Sequence, residues 1–191
     1  MLLQACAPSP LKQAAPPKPA PYRSGPLAVG VWGVGPIRAT TYFESPVIGA
    51  LFPAAQVSDG TVRVSDDETT AVITVTQGGV EMLEIDDGTG NAPGTNDPMI
   101  GSVRALGGPV RGPQGERLGM SWNDARFDLT ECDLGSDRDR NTVFCARPGE
   151  GAVTYQFAVP GYDSEEVPPE SLLRKVAYVK AIVWTPPATS H

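Results

Sequence analysis

The sequence predicts an α+β fold built on a predominantly antiparallel β-sheet with two or three short helices. Three observations lead there. Gly (21) and Pro (20) together exceed a fifth of the 191 residues, which favours short elements joined by tight turns over long helices. The apolar runs are short and bounded by turn signals. No stretch approaches the ~20 apolar residues of a membrane-spanning helix.

The elements follow in order. Val29–Ile37 reads as a first strand with interspersed glycines. Ser45-Pro46 reads as a helix N-cap with Pro at the first helical position, Val47, Ile48 and Leu51 as the apolar face, and Pro53 as the stop. Thr61–Ser65 is a strand ending in the acidic turn Asp66-Asp67-Glu68. Ala71–Thr76 and Val80–Ile85 flank Gln77-Gly78-Gly79, the clearest hairpin signal. A long loop over Asp86–Pro98 leads to a strand at Gly101–Leu106, closed by Gly107-Gly108-Pro109.

The second part has a similar order. A short helix is expected over Ser121–Leu129, capped by Ser121, followed by Cys132 and a polar loop Gly135–Asn141. Thr142–Ala146 and Val153–Val159 form a hairpin around Pro148-Gly149-Glu150-Gly151. Pro168–Leu173 reads as one helical turn, and Val176–Trp184 as the longest β-rich stretch. Both parts read helix, then strands, the pattern of two similar halves, although residue identity between them is slight.

Charge divides the chain. The net is −7, yet residues 1–26 carry Lys12, Lys18 and Arg23 with no acid, leaving −10 for the rest. An acidic domain argues against nucleic acid as a partner, since phosphates need a basic face. Residues 7–26 hold seven prolines and little to bury. They read as a disordered, polyproline-biased tether with a reach of roughly 60 Å.

Leu3-Gln4-Ala5-Cys6 stands just ahead of that tether and has the form of a bacterial lipobox: an apolar residue three before the cysteine and a small one immediately before it. Cys6 is then the lipidation site, since its thiol takes the diacylglycerol and its freed amino group a further acyl chain. Each buried methylene adds ~0.8 kcal/mol of membrane affinity. Residues 1–5 read as the last part of a signal peptide, whose positive start and most of whose apolar stretch are missing. Residues 27–187 are expected to form one folded domain and 188–191 a disordered tail.

Cys132 and Cys145, 13 residues apart, read as a disulfide in an oxidising compartment, contributing roughly 3 kcal/mol by loop closure. No Cys-x-x-Cys spacing suggests redox catalysis.

Catalytic signatures are absent. His191 is the only histidine and sits at the terminus, which removes Ser-His-Asp and Cys-His chemistry. Ser171 and Lys175 miss the Ser-x-x-Lys spacing. Gly30, Gly33 and Gly35 lack the order of a nucleotide loop. Asp137-Arg138-Asp139-Arg140-Asn141 imitates the start of a calcium loop, but Thr142 stands where Gly is needed and Pro148 where Glu is needed. Asp86-Asp87-Gly88-Thr89-Gly90-Asn91 is a similar oxygen-rich turn. Both read as solvated loops, and neither a metal nor a cofactor is expected. Trp122 and Trp184 read as core, while Trp32, beside glycines, is left open between core and surface.

Over Gly33–Pro186 the chain resembles the RpoE-regulated lipoproteins of bacterial envelopes. The residues carrying this are Gly33-Val34-Gly35-Pro36-Ile37, Thr41, Phe43, Leu51-Phe52-Pro53, Cys132 with Cys145, Tyr155-Gln156-Phe157, Val167-Pro168-Pro169 and Ala181-Ile182-Val183-Trp184-Thr185-Pro186. The loop Pro160–Glu166 departs from the pattern. The resemblance implies a periplasm-facing lipoprotein linked to envelope stress, and no known activity. Ala7 after Cys6 fits sorting to the outer membrane.

The expected function is therefore non-catalytic: a lipid-anchored envelope protein that binds a protein or glycan partner. Two alternatives stand beside it. One is an inhibitor that plugs a lysozyme or peptidase with a loop such as Asp86–Pro98. The other is a hydrolase that uses carboxylates alone, drawn from acids such as Asp66, Asp67, Asp86, Asp87, Asp137 and Asp139.

Overall fold

The computed structural model describes residues 19–89, 93–94, 99–129 and 132–187. Its centre is an eight-stranded, wholly antiparallel sheet. The strands are β3 (Gln56–Arg63), β4 (Thr69–Gln77), β5 (Val80–Asp86), β6 (Ser102–Ala105), β8 (Cys132–Leu134), β9 (Thr142–Ala146), β10 (Val153–Ala158) and β11 (Tyr178–Trp184). Their order across the sheet is β3-β4-β5-β6-β11-β10-β9-β8. Each half of the chain thus runs as a four-stranded meander, and the two meanders join through their last strands. A second, three-stranded sheet holds β1 (Leu27–Gly30) between β2 (Gly33–Val34) and β7 (Val110–Arg111). The helices are α1 (Ser45–Leu51), α2 (Trp122–Ala125) and α3 (Glu170–Val176).

Period-2 alternation assigns the faces. In β4 and β5, Ile73 and Val75 pair with Ile85 and Leu83, and all four are fully buried. The same face continues through Val103, Ala105, Ile182, Trp184, Val153, Tyr155, Val143 and Cys145. The small sheet and the helices contribute Leu27, Val34, Ile48, Trp122 and Leu173 to the same cluster. Trp122, Phe127, Tyr155 and Phe157 form an aromatic stack with ring centroids 4.8–6.0 Å apart. Trp122 and Trp184 are core, as the sequence indicates, and Trp32 is 61% exposed.

Several boundaries differ from the sequence reading. The expected strand Val29–Ile37 is broken into β1 and β2, which pair with each other. A Cβ on Gly33 would lie 1.9 Å from the carbonyl oxygen of Ile37, so the chain turns back on itself there. Helix α1 starts one residue early: Glu44 is the N-cap, and its carbonyl takes the first helical bond from the Ile48 N–H. Ser45 is inside the first turn, its hydroxyl donating to Asp59. β3 begins at Gln56 rather than Thr61, because pairing with β4 along its full length overrides the weak strand preference of Ser58-Asp59-Gly60.

Helix α2 stops at Ala125, well short of Leu129. Arg126 takes the left-handed conformation, φ 55°, and its N–H closes on the Trp122 carbonyl. Ser121 caps α2 as expected, its hydroxyl oxygen accepting from the Asp124 N–H at 3.2 Å. α3 is longer than the single turn expected and claims Val176, so β11 starts at Tyr178. The hairpin at Gly78-Gly79 forms as read, with φ 60° and 79°, the left-handed pair of a type I′ turn. Within the expected tether, Tyr22 lies against the domain: its ring is 5.7 Å from Phe52 and its N–H bonds the Leu51 carbonyl.

Candidate binding cleft on the polar face of the sheet

The sheet face opposite the core is polar. Register lines up Thr74, Glu84, Arg104, Val183 and Thr154 across five strands. Each sits at an alternate position between core residues: Glu84 between Leu83 and Ile85, Arg104 between Val103 and Ala105. The β8–β9 connection folds over this row through a 3-10 turn at Asp137–Asp139. Asp137 adopts φ 50° there, a left-handed conformation that Asp tolerates better than most residues.

The fold-over brings charges together. Arg104 makes a bidentate pair with Asp139, at 2.9 and 2.8 Å, and also donates to the Gln156 side-chain oxygen at 2.6 Å. Gln156 donates onward to Asp139 at 2.7 Å. Arg138 pairs with Glu84, and Arg104 Nε stands 3.8 Å from the same carboxylate. Glu84 is 6% exposed and Gln156 fully buried, so the network is held in a partly dry setting where each pair is stronger than on open surface. Although burial works against it, the Arg104 pair and the Gln156 hydrogen bond hold the Asp139 carboxyl below the usual carboxylate range.

Asp86 is different. It lies two residues beyond Glu84 on β5, accepting from the Ser102 hydroxyl at 2.6 Å and the Gly88 N–H at 2.8 Å. No guanidinium or ammonium among the described residues lies within ion-pair distance of it. Burial pushes its pKa up, and Glu84 and Asp87 add to that, against the two hydrogen bonds.

These residues wall a cleft of about 320 Å³. Its lining includes Glu68, Thr70, Glu84, Asp86, Ser102, Arg104, Asp137, Arg138 and Asp139. Five acids against two arginines give the cleft a net negative charge. A neighbouring hollow of about 370 Å³ is lined by Arg63, Asp66, Asp137, Arg138 and Arg140.

The acids singled out in the sequence are thus divided. Asp86, Asp137 and Asp139 meet in the cleft, and Asp66 lies in the hollow beside it. Asp87 is 7% exposed and accepts from the Thr89 N–H, closing the turn after β5. Asp139, read as a solvated calcium-like position, is instead the partner of Arg104, which fixes the loop to the sheet. No group of three His, Cys, Asp or Glu among the described residues could hold a metal ion. Sequence reading missed Glu84, Arg104 and Gln156. Their signal was a polar residue at an alternate position inside an apolar strand.

Cys132 and Cys145 are bonded to each other, at directly opposed positions of β8 and β9 with Cα atoms 4.1 Å apart. Cys6 lies outside the described residues, as do residues 90–92 and 95–98 of the loop put forward for an inhibitor. A second buried ion pair, Arg147 with Glu116 at 3.0 Å, stands at the other side of the core, with the guanidinium 4.0 Å from the Phe127 ring centre. Beside it the Tyr155 hydroxyl donates to Glu150 at 3.1 Å, and its pKa is raised by burial and by Glu116 and Glu150. Arg147 also donates to the Ala125 and Arg126 carbonyls, which ties the end of α2 to β9.

No family model and no curated protein matches the chain. Among solved structures it is similar to the uncharacterized protein yfeY from Escherichia coli, with a TM-score of 0.64 and 18% identity. The match covers 84% of this chain and 99% of that one. At this identity the likeness is one of fold: this chain shares the architecture of an uncharacterised bacterial protein.

Proposed function

We propose that this chain is an envelope lipoprotein of the RpoE-regulated kind, anchored through Cys6, and that its domain works by binding. The lipobox, the proline-rich tether and the motifs from Gly33 to Trp184 support the address; a bacterial fold neighbour spanning most of the chain is consistent with it. The docking site is the cleft on the polar face of the sheet. One observation carries this: Asp86 is a carboxylate drawn out of water with hydroxyl and amide partners, and among the described residues no cation stands within ion-pair distance of it, Arg104 acting on it only from farther off. A ligand amine would complete it, as the arginines complete Glu84 and Asp139. Ser102 and Thr70 supply hydroxyls for neighbouring polar atoms. The fitting partner is therefore a glycan or peptide of the envelope that bears a protonated amine.

Calorimetric titration with amine-bearing cell-wall peptides tests this. Binding is expected for the free amine, and at least ~10-fold weaker binding after N-acetylation of the peptide or Asp86→Asn, the loss of one charge-assisted hydrogen bond. Equal affinity for free and acetylated peptides would remove Asp86 from the site.

A second reading, hydrolysis by carboxylates, has one observation in its favour. The cleft contains one carboxyl raised in pKa, Asp86, and one lowered, Asp139, the division that acid and base roles require. Asp139, however, is engaged on both oxygens by Arg104 and Gln156, which leaves it poorly placed to activate water. Mass spectrometry of the same peptides and of cell-wall fragments after incubation separates the readings: binding leaves them intact.

A further inference from the structure

The long outer edge of the sheet belongs to β3, and its backbone is directional. The Val64 N–H bonds the Glu68 carbonyl at 2.9 Å, in the register that sets Arg63 opposite Thr69. Residues of an antiparallel ladder alternate between bonding inward and outward. The even-numbered residues of β3 therefore bond to β4, and Val57, Asp59, Thr61 and Arg63 point their N–H and C=O groups away. Among the described residues nothing bonds to those outward groups. Ser58 through Thr61 are all exposed and the strand holds no proline; its charges, Asp59 and Arg63, stand on the core-side face, where Asp59 also accepts from the Ser45 hydroxyl of α1.

The side chains on this edge complement one another. Asp59 and Arg63 lie on the same sheet face, the face of Ile73 and Val75, four residues apart with Thr61 midway. Two identical strands can pair antiparallel only about a two-fold axis perpendicular to the sheet. An axis at Asp59 would oppose Asp59 to its own copy, and one at Gly60 would leave both charges unmatched. An axis at Thr61 sets Asp59 against Arg63 of the second copy, twice, and Thr61 against Thr61. In that register the outward-bonding residues also face each other, so each of these pairs exchanges both backbone hydrogen bonds.

We infer that β3 is a self-association edge: two copies of this chain pair through it, centred on Thr61, into one continuous sheet with both cores on the same side. The partner is a second copy because the edge is complementary to itself in charge and in hydrogen-bonding parity at a single register. The polar clefts then open on the common opposite face, each beside the end of β3, where Val64, Ser65 and Glu68 line the wall.

Sedimentation velocity of the full 191-residue chain, from roughly 1 µM to 1 mM, reads the association, which is expected to be reversible because one strand pair is smaller than a standard interface. Asp59→Arg and Arg63→Asp each place like charges opposite one another twice and should weaken dimerisation about tenfold or more. The double variant restores opposite charges and should recover most of the loss. Thr61→Pro removes an outward N–H while leaving every bond to β4 in place and should give a monomer. Thermal unfolding of each variant checks that the fold is kept; should Thr61→Pro unfold, the charge-reversal set alone decides. A wild-type chain that is monomeric throughout, or a dimer whose affinity neither single reversal changes, overturns the proposal.

Discussion

At Asp86 and Asp139 the same side-chain chemistry is driven in opposite directions by its surroundings. Asp139 is held low by Arg104 and Gln156, so its ionised form favours the fold. That contribution is complete above the ordinary carboxylate range and is lost as pH falls through the lowered folded value. Asp86 is raised, chiefly by burial, so its ionised form opposes the fold at neutral pH, and the penalty is relieved as pH falls through the raised value. Asp86→Asn is therefore expected to raise Tm at pH 7 and to give no gain near pH 3. Asp139→Asn should do the reverse: a loss of about 1.5–3 kcal/mol at pH 7, since it removes the bidentate partner of Arg104 and leaves the guanidinium to Gln156 and the more distant Glu84, shrinking in acid. Thermal unfolding across pH 3–8 measures both. On the proposed reading, a ligand amine beside Asp86 would offset that cost. If Asp86→Asn lowers Tm at pH 7, Asp86 is a structural turn residue.

Among the elements, β8 is the one most dependent on covalent help. It is three residues long, pairs only with β9, and forms the far edge of the large sheet. A pair this short buries too little to hold itself, and the Cys132–Cys145 bond supplies what packing does not. The strand also anchors the polar connection Gly135–Asn141, and with it Arg138 and Asp139 over the cleft. Replacing both cysteines by alanine is expected to cost roughly 3 kcal/mol of unfolding free energy. Hydrogen exchange should show its largest acceleration in β8 and in the 3-10 turn, beyond the general effect of the lower global stability on β3 through β5. Uniformly accelerated exchange would mean that the bond stabilises the whole domain rather than this edge.

At the scale of the molecule, the two meanders meet at β6 and β11, so the central strands carry Arg104 and Val183 at the middle of the polar face. The cleft is built from both halves: Glu84, Asp86 and Arg104 from the first, Arg138 and Asp139 from the second. Neither half makes it alone. The anchoring proposed at Cys6 belongs to this scale too, because it would set where the domain can reach. Metabolic labelling with palmitate in a bacterial host should mark the protein and not its Cys6→Ala variant. Equal labelling of both would leave the tether without its anchor.

Local chemistry made part of this protein legible in the chain itself. Glycine pairs with left-handed φ values mark the Gly78-Gly79 hairpin, Ser121 three residues ahead of Asp124 marks a capped helix, and period-2 apolar runs mark β4, β5, β9, β10 and β11. Such signals act over a few residues, so a linear reading captures them. The splitting of Val29–Ile37, the early start of β3 and the truncation of α2 were decided elsewhere: by the Ile37 carbonyl against Gly33, by eight residues of pairing with β4, and by Arg126 turning left-handed above the Trp122 carbonyl. The cleft was the least legible feature. Glu84, Arg104, Arg138 and Asp139 are far apart in the chain, and an arginine or a carboxylate in isolation reads as solvated surface. Sequence alone determined the α+β class, the core tryptophans and the cysteine pair. Only the tertiary structure decided which acids come into ion-pair contact with a guanidinium and which, like Asp86, feel one only from farther off, because that depends on distances between strands and loops that no local propensity encodes.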